Sequence, residues 1–331
     1  MSNLKTAIVL FNLGGPDRLE SVEPFLFNLF NDKAIIGAPG LIRWLLAKYI
    51  SKKRAPVARK IYAQLGGGSP LVPQTEVQAR ALEQVLGEGY RCFIAMRYWH
   101  PFAHETVKAI KAWGADQVVL LPLYPQFSTT TTGSSIQNWY QAACDLNLPT
   151  QLVCCYPTQP GLVASMAQLA RSGYDEARLK GEPRVLFSAH GLPKTVIERG
   201  DPYQAQVELT AAAVAKSMGI DNLDWTICYQ SRVGPMEWIG PSTEAELERA
   251  GRDKVPVVIV PVAFVSEHSE TLVELDIEYR HRADELGIPA YVRVPALGCH
   301  NEFISGLAQL VQQQDSVKGQ ACAQLGRTCL C

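Results

Sequence analysis

The segment VPVVIVPVAF, residues 255–264, is an uninterrupted apolar run in which valine predominates. Short runs of β-branched residues with polar residues at both ends are typical of strands that are buried on both faces. A strand with one face in water would instead alternate apolar and polar residues. We therefore expect this segment to belong to a parallel sheet that is covered on both sides.

Seven further segments of the same character are spread along the chain, and amphipathic helical patterns such as EVQARALEQVLGE separate most of them. They are TAIVLFN (6–12), CFIAMR (92–97), QVVLLPLY (117–124), TQLVCCY (150–156), RVLFSA (184–189), WTICYQ (225–230) and AYVRVPA (290–296). Strands that alternate with helices predict parallel sheets with helices on both faces. The eight segments form two groups of four, split around residues 160–180. The sequence therefore predicts two similar doubly wound α/β domains with a cleft between them.

Bulk properties exclude several classes of protein. The 331 residues carry a formal net charge of -1, which gives no electrostatic reason to expect a nucleic-acid partner. No apolar run approaches the roughly 20 residues that span a bilayer. The N-terminal stretch MSNLKTAIVLFNLGG is better interpreted as a first strand than as a signal peptide, because it lacks a small-residue cleavage site. We therefore expect a cytoplasmic protein.

The predicted strand ends carry unusual side chains. In doubly wound sheets the ligand site lies beyond the carboxyl ends of the strands. The residues there are Asn12, Arg97, Tyr98, Trp99, His100, Tyr124, Gln126, His190, residues 229–232, His268, Cys299 and His300. Four of the six histidines of the chain are among them. A single histidine is often structural, but four at one edge of the sheets indicate a functional site.

The chain continues from the last residue of the quoted strand as FVSEHSETLVELDIEYR, residues 264–280, in which glutamate recurs every four residues. On an α-helix such residues lie on one face, where each pair of like charges costs a few tenths of a kcal/mol. The row comprises Glu270, Glu274 and Glu278, and the predicted core face comprises Leu272, Leu275 and Tyr279. The row is either a solvated acidic face or part of a site with nearby histidines. Carboxylates beside imidazoles suit a divalent cation or a proton relay.

Residues 25–50 contain more large apolar side chains than a helix with one wet face requires. One interpretation is a helical hairpin that packs on its domain. The other is an exposed apolar lip for a large hydrophobic ligand or a membrane surface. The basic run Lys52, Lys53 and Arg54 that follows would suit ligand carboxylates or anionic lipid.

Motifs for nucleotide binding and for hydrolase triads are missing. The stretches NLGGPD and LGGGSPL match neither the dinucleotide fingerprint nor the Walker A pattern. SAHGLP, residues 188–193, ends a strand with His190, but the chain has no G-x-S-x-G elbow. We therefore interpret His190 as a base or a metal ligand.

Seven motifs together resemble the ferrochelatase family: NLGGPD, GGGSPL, MRYWHP, LYPQFSTTTTGSS, FSAHGLP, QSRVGPMEWIGP and FVSEHSETLVELDIEY. The resemblance runs from about residue 5 to residue 312. It implies a chelatase-like α/β fold of two Rossmann-like domains, each with a four-stranded parallel sheet, around a porphyrin cleft. We expect the domains at 1–162 and 163–312, with a cysteine-rich tail at 313–331. The implied activity is that of a lyase that inserts Fe(II) into protoporphyrin IX, the terminal step of haem biosynthesis.

The same resemblance implies roles for individual residues. His190 corresponds to the active-site histidine that accepts pyrrole protons or ligates the incoming metal. Glu270 corresponds to the essential acid across the cleft, so both are candidate ligands of the substrate Fe2+. Glu274, with His268 nearby, corresponds to an acidic path that carries protons or metal.

Further positions are implied to surround the macrocycle: Arg97, Tyr98, Tyr124 and Trp238. Leu13 stands where some relatives have methionine, and it keeps an apolar contact with the porphyrin. Residues 25–50 correspond to the lip through which porphyrin enters, often against a membrane. A peripheral position on the inner face of the membrane is therefore expected.

The cysteines indicate a second cofactor. Three of the nine lie in the last ten residues, CAQLGRTCLC, where a polar tail has no core for them to join, which favours metal ligation. Some ferrochelatases hold a 2Fe–2S cluster with one internal and three C-terminal cysteines, and Cys322, Cys329 and Cys331 resemble those three. For the internal ligand we favour the pair Cys154 and Cys155. Cys144 is the other candidate. The alternative is a disordered tail with incidental thiols.

Other functions stay open at this point. A close variant would metallate coproporphyrin, although the large apolar lip favours the more hydrophobic protoporphyrin. A chelatase for another metal or tetrapyrrole is a further alternative. A binding protein that stores or carries porphyrin without chemistry would need the same pocket. The sequence does not distinguish a monomer from a homodimer.

Overall fold

Two four-stranded parallel sheets form the core of the protein, as predicted. The computed structural model describes residues 4–232 and 236–313. The strands are β1 (Thr6–Asn12), β2 (Tyr90–Met96), β3 (Gln117–Pro122), β4 (Thr150–Leu152), β5 (Arg184–His190), β6 (Trp225–Gln230), β7 (Val257–Pro261) and β8 (Tyr291–Arg293). Each falls within or overlaps one of the eight predicted segments. Every residue of β1 and of β7 is buried, which confirms that both faces of these strands are covered.

The two sheets have the same strand order, β2-β1-β3-β4 and β6-β5-β7-β8, and every neighbouring pair is parallel. The sequence shows no matching internal repeat. The agreement arises because a parallel sheet requires buried β-branched strands and crossover helices, and many different residues satisfy that requirement.

The chain divides into two compact units. One runs to Cys155 and takes in the end of the last helix from Leu307, and the other runs from Tyr156 to Gly306. The domain limits predicted from the sequence, at residues 162 and 312, remain a prediction.

Helices connect the strands, and side-chain caps mark the start of some of them. They are α1 (Val22–Phe30), α2 (Gly40–Gln64), α3 (Leu71–Leu86), α4 (Ala103–Trp113), α5 (Ser134–Ala142), α6 (Pro160–Ala177), α7 (Lys194–Glu198), α8 (Tyr203–Ser217), α9 (Thr243–Asp253), α10 (Tyr279–Glu285) and α11 (Asn301–Gln312), with 3₁₀ turns at Leu19–Ser21 and Arg178–Lys180. Before α9, for example, the Ser242 hydroxyl accepts a hydrogen bond from the backbone N–H of Ala245. Among the described residues, no helix has the length and apolar composition needed to cross a bilayer.

Within the described ranges, two segments are π-helical: the first π segment is Thr129–Gly133 and the second π segment is Glu270–Glu278. The prediction of an α-helix over the glutamate row is therefore wrong. The backbone N–H of Tyr279 donates to the carbonyl of Glu274, five residues back instead of four. The wider turn changes the buried face, so that Leu272 is only partly buried. Such segments are rare and occur frequently at functional sites.

Helices α1 and α2 form a hairpin with one packed and one exposed side. Val22, Phe25 and Leu26 of α1 pack against Ala55 and Tyr62 of α2. The N-terminal half of α2 exposes a stripe of large apolar side chains: Leu41, Ile42, Trp44, Leu45, Leu46 and Tyr49. The predicted helical hairpin is therefore confirmed, and the use of its exposed apolar surface as a lip for a ligand or a membrane stays a prediction.

Candidate active site

A histidine and a glutamate form the centre of the site in the second unit. His190 is the last residue of β5, and Glu270 begins the second π segment after β7. Because β5 and β7 are hydrogen-bonded neighbours, their carboxyl ends lie side by side. The Nδ1 atom of His190 lies 2.9 Å from Oε2 of Glu270. The structure thus brings together the two residues predicted to be central to the chemistry.

Ser231 connects this pair to the next glutamate. Its hydroxyl oxygen lies 3.3 Å from Oε2 of Glu270 and 2.5 Å from Oε2 of Glu274. Its backbone N–H donates to Oε1 of Glu274 at 2.8 Å. Ser231 has a φ of 61°, in the left-handed region that non-glycine residues seldom adopt, and this conformation aims both donors at the π segment. Sequence reasoning placed Ser231 at a strand end but assigned it no role.

Two further side chains lie within hydrogen-bond distance of Glu274. Nε2 of Gln230 lies 3.3 Å from Oε2 of Glu274, and Gln230 is itself held by the hydroxyl of Ser188. The hydroxyl of Tyr279 lies 3.2 Å from Oε1 of Glu274. The sequence predicted Tyr279 as a core residue only, because α-helical spacing separates it from Glu274. The π-helical turn brings the two together.

Charge and burial give Glu270 and Glu274 different pKa values. Burial raises the pKa of Glu270, but the charge and hydrogen bond of His190 outweigh it and hold that pKa at about 2. Burial lowers the pKa of His190, whereas the negative charge of Glu270 has the larger combined effect and raises it. Burial and the charge of Glu270 together raise the pKa of Glu274 to about 6. Glu270 is therefore a carboxylate, and Glu274 can exchange a proton near neutral pH.

His268 lies in the buried turn that leads into the second π segment. Its ring packs on Phe264, with ring centroids 4.6 Å apart. Burial lowers the pKa of His268, so its imidazole is neutral at pH 7. Nδ1 of His268 has no hydrogen-bond partner among the described residues. The structure thus places His268 beside Glu270 and Glu274, which we call the acidic cluster. Its Nδ1 atom makes no hydrogen bond to this cluster within the described residues.

The four strand-end histidines are divided between the two units: His100 belongs to the first, and His190, His268 and His300 belong to the second. His100 is exposed in the first unit and pairs with Glu105, 2.9 Å away, at the start of α4. His300 precedes α11, where its carbonyl accepts from the N–H of Ile304. Within the described parts of the chain, only His190 hydrogen-bonds to a glutamate of the π segment.

A second cluster lies at the carboxyl end of β2 in the first unit. Nη2 of Arg97 and the hydroxyl of Tyr98 each lie 2.8 Å from Oδ2 of Asp32. Nε of Arg97 donates to Ser134 at 2.7 Å, and the hydroxyl of Ser134 also bonds to Asp32. Sequence reasoning selected Arg97 and Tyr98 but missed Asp32 and Ser134. Their only signal was position, since Asp32 follows α1 and Ser134 follows the first π segment.

The remaining predicted pocket residues lie near these strand ends within their own units. The carbonyl of Leu13, just after β1, accepts from the N–H of Tyr98. Tyr124 is buried two residues beyond β3. In the second unit, a β-carbon on Gly191 would lie 3.3 Å from the indole of Trp238, so this ring packs beside His190.

The predicted cluster cysteines are only partly described. Cys322, Cys329 and Cys331 lie outside the described residues. Cys154 and Cys155 follow β4, which ends at Leu152, and both are buried. Cys154 is disulfide-bonded.

Cys144 differs from this pair because it is exposed after α5. Among the described residues, no three or more histidine, cysteine or acidic side chains converge in a metal-binding arrangement.

Sequence comparison identifies relatives over almost the whole chain. Residues 5–315 match the Ferrochelatase family profile. A protein named ferrochelatase from Caulobacter vibrioides (strain NA1000 / CB15N) is 56% identical over 330 residues, covering 98% of this chain and 94% of that protein. Another ferrochelatase, from Pelagibacter ubique (strain HTCC1062), is 47% identical over 324 residues, covering 95% and 93%.

Solved structures match the fold at much lower identity. SirB from Bacillus subtilis with Fe3+ superposes with a TM-score of 0.56 at 12% identity, covering 96% of this chain and 98% of that chain. The sirohydrochlorin chelatase SirB from Bacillus subtilis subspecies spizizenii, in complex with cobalt, gives 0.51 at 13%, with the same coverage. These structures share a chelatase fold with the protein. The relatives of high identity go further, because they extend over both sheets and both π segments: the chain belongs to the ferrochelatase family.

Proposed function

We propose that the protein inserts Fe(II) into a porphyrin to form haem, as a metal chelatase of the lyase class. The observation that carries this proposal is the His190–Glu270 pair at the carboxyl ends of neighbouring strands, 2.9 Å apart, in a chain of the ferrochelatase family. The preferred substrate is protoporphyrin IX, and coproporphyrin is the alternative. The apolar stripe on α2 favours the more hydrophobic ring.

The chemistry requires a base, because both inward N–H protons of a free porphyrin must leave as the metal enters. A neutral histidine whose Nδ1–H donates to Glu270 keeps its Nε2 lone pair for a pyrrole proton or for the metal. The carboxylate of Glu270 orients the ring and stabilises the imidazolium that forms. His190 and Glu270 together offer two ligands to Fe2+, which suits transfer of the ion better than tight storage.

Substitution of His190 tests this proposal against a porphyrin carrier. His190→Ala should abolish insertion of Fe(II) or Zn(II), measured as loss of free-porphyrin fluorescence, while porphyrin still binds. His100→Ala is the matched control, since this exposed histidine lies in the first unit. If the wild-type protein binds porphyrin and does not accelerate its metallation, the carrier function replaces the enzyme. Parallel assays with coproporphyrin measure the preference between the two rings.

We also propose that α2 attaches the protein to the inner face of the membrane from the cytoplasm. Leu41, Leu45 and Tyr49 lie four residues apart on one helix face, with exposures of 74%, 54% and 64%. The Lys48 ammonium lies 5.0 Å from the centre of the Trp44 ring, so a cation borders the stripe. Apolar insertion combined with cations is the pattern of peripheral membrane helices.

A vesicle assay tests the attachment. The double variant Leu41→Ser/Leu45→Ser should lose co-sedimentation with anionic vesicles while it keeps metallation of detergent-dispersed porphyrin. Leu179→Ser is the control, because that residue is 84% exposed elsewhere on the chain. Equal sedimentation of all three proteins would contradict the attachment.

We propose a 2Fe–2S cluster with Cys322, Cys329, Cys331 and one of the pair Cys154 and Cys155. Four thiolates hold such a cluster, so the fourth would come from this pair beside β4, and from Cys154 only when its disulfide is reduced. Iron and acid-labile sulfide should be found in protein purified anaerobically, and both should be lost in the double variant Cys154→Ser/Cys155→Ser and in one of the two single variants. Cys144→Ser should keep them. Loss of the cluster in Cys144→Ser alone would transfer the internal ligand to that residue.

A further inference from the structure

The hydrogen bonds of the acidic cluster continue beyond Glu274 to the protein surface. The hydroxyl of Tyr279 lies 3.2 Å from Oε1 of Glu274 and 3.1 Å from Oε1 of Glu244. Glu244 belongs to the first turn of α9 and is exposed. The continuous series is therefore His190, Glu270, Ser231, Glu274, Tyr279 and Glu244.

The hydroxyl of Tyr279 cannot satisfy both neighbours by donation alone. A phenol has one O–H, yet two carboxyl oxygens lie within hydrogen-bond distance of it. Both contacts are hydrogen bonds only when one of the carboxyl groups carries a proton. Burial and the charge of Glu270 raise the pKa of Glu274 to about 6, so Glu274 can carry this proton near neutral pH.

We propose that the protons released from the porphyrin leave the site through the hydroxyl of Tyr279 and reach water at Glu244. This inference rests on the proposed metallation reaction. In each step the O–H bond of Glu274 breaks as its proton binds to the Tyr279 oxygen, and the former phenol proton moves to Glu244. Glu274 becomes a carboxylate, and the phenol is restored when its O–H turns back toward Glu244. The next proton reaches Glu274 from His190 through Glu270 and the hydroxyl of Ser231. Glu244 then releases its proton to water.

The surroundings of Tyr279 restrict this route to protons. The side chain is buried at 5% exposure and packs with the apolar residues Leu247, Leu275 and Ala283. A divalent cation needs several oxygen ligands and space for them, whereas a proton needs only a chain of hydrogen bonds. The outward path of protons is thereby separate from the inward path of the metal ion.

Tyr279 and Glu244, the last two groups of the route, are each suited to pass on a proton. Burial raises the pKa of Tyr279, so the phenol keeps its proton and passes one on only as another arrives. Glu244 belongs to the first turn of α9, and its side chain is exposed to water. A carboxylate in contact with water accepts the proton and releases it to solvent.

Two variants test the route in the full-length protein with Zn(II) and a porphyrin. Tyr279→Phe and Glu244→Gln should each lower kcat roughly tenfold, with the KM values for metal and porphyrin unchanged. A small buffer such as imidazole, added at rising concentration, should restore kcat in both. Tyr291→Phe is the matched control for Tyr279→Phe, since its hydroxyl donates to a backbone carbonyl, that of Leu275. Glu248→Gln is the control for Glu244→Gln on the same helix, where it pairs with Arg282.

The outcomes separate the route from the reaction. Wild-type kcat in both variants, unaffected by buffer, would overturn the route while the metallation reaction stands. A raised KM for the metal instead of a lowered kcat would overturn it too, because the hydroxyl would then position the ion. No metallation by the wild-type protein would refute the proposed function itself. If Tyr279→Phe fails to fold, the kcat of Glu244→Gln alone tests the route, since the Glu244 side chain is at the surface.

Discussion

At the scale of single residues, the site depends on side chains whose positions no motif announces. Ser231 lies one residue past β6 and bonds to two glutamates. Asp32 follows α1 and bonds to Arg97 and Tyr98. Both act through a tertiary contact with a residue at least 39 positions away in the chain. The spacing of residues along the sequence does not reveal such contacts.

The left-handed conformation of Ser231 makes one prediction about stability. Ser231→Ala keeps the strained backbone and loses the hydroxyl, whereas Ser231→Gly removes the steric cost of φ near 61°. We expect the glycine variant to be more stable than the alanine variant by about 1 kcal/mol in urea unfolding. Both variants should lose metallation activity, because both lack the hydroxyl between Glu270 and Glu274. Higher stability of Ser231→Ala would contradict the role of the backbone conformation.

The buried ion pair of Asp32 makes a second prediction. Asp32→Asn leaves the guanidinium of Arg97, whose side chain is 19% exposed, without its counter-charge. Breaking a buried pair in this way costs about 3–5 kcal/mol, and the partial exposure of Arg97 favours the lower end. Asp175→Asn is the control, since its pair with Arg171 is exposed and should contribute less than about 1 kcal/mol. Equal losses of unfolding free energy in the two variants would contradict the prediction.

At the scale of elements, the second π segment decides which residues meet. The sequence predicted a row of three glutamates, and two of them, Glu270 and Glu274, do share the hydrogen-bond network. Glu278 is exposed. The π-helical turn itself was not predictable. The pattern of apolar residues over nine positions does not show whether each backbone N–H bonds to the carbonyl five residues back, as in a π-helix, or four residues back, as in an α-helix. Tyr279 therefore appeared to be a core residue, although its hydroxyl completes the cluster.

The raised pKa of Glu274 predicts a pH dependence of stability. Its folded pKa is about 6 and its ordinary value is 4.5, so the folded state holds this proton more tightly than the unfolded state. Ionised Glu274 therefore destabilises the fold above pH 6, by about 2 kcal/mol, and has no such effect below pH 4.5. The free energy of unfolding of Glu274→Gln, relative to wild type, should therefore increase as the pH rises from 4.5 to 7.5. The raised pKa of Glu274 sets this direction.

Chemical denaturation at several pH values measures this difference. Glu278→Gln serves as the control on the exposed end of the same segment, and its difference from wild type should stay constant with pH. A pH-independent effect of Glu274→Gln would show that the carboxyl is not held in its neutral form by the fold.

At the scale of the whole molecule, the sequence predicted most of the architecture. Eight apolar runs became eight strands, since burial on both faces leaves a strong local pattern. The site was only half predictable, because strand ends can be located from the sequence whereas turns that follow them cannot. His190 and Glu270 were found in this way, and the exposed pairing of His100 with Glu105 was not.

The buried core predicts where large losses of stability arise. Phe187 of β5 is fully buried and its ring centroid lies 5.6 Å from that of Trp225. Phe187→Ala should lower the unfolding free energy by about 3–5 kcal/mol through the cavity that it leaves. Leu179→Ala, at an exposed position, should change it by less than about 0.5 kcal/mol. Similar midpoints in urea for the two variants would contradict this account of the core.

The second π segment also limits how the chain tolerates changes in length. Loops on a protein surface usually absorb the loss of a residue, and a regular helix transfers it to the nearest loop. Deletion of one residue between Glu270 and Glu274 would instead restore the four-residue repeat and turn one carboxylate away from its partners. The site is thus more sensitive to the number of residues in this segment than to the identity of most of them.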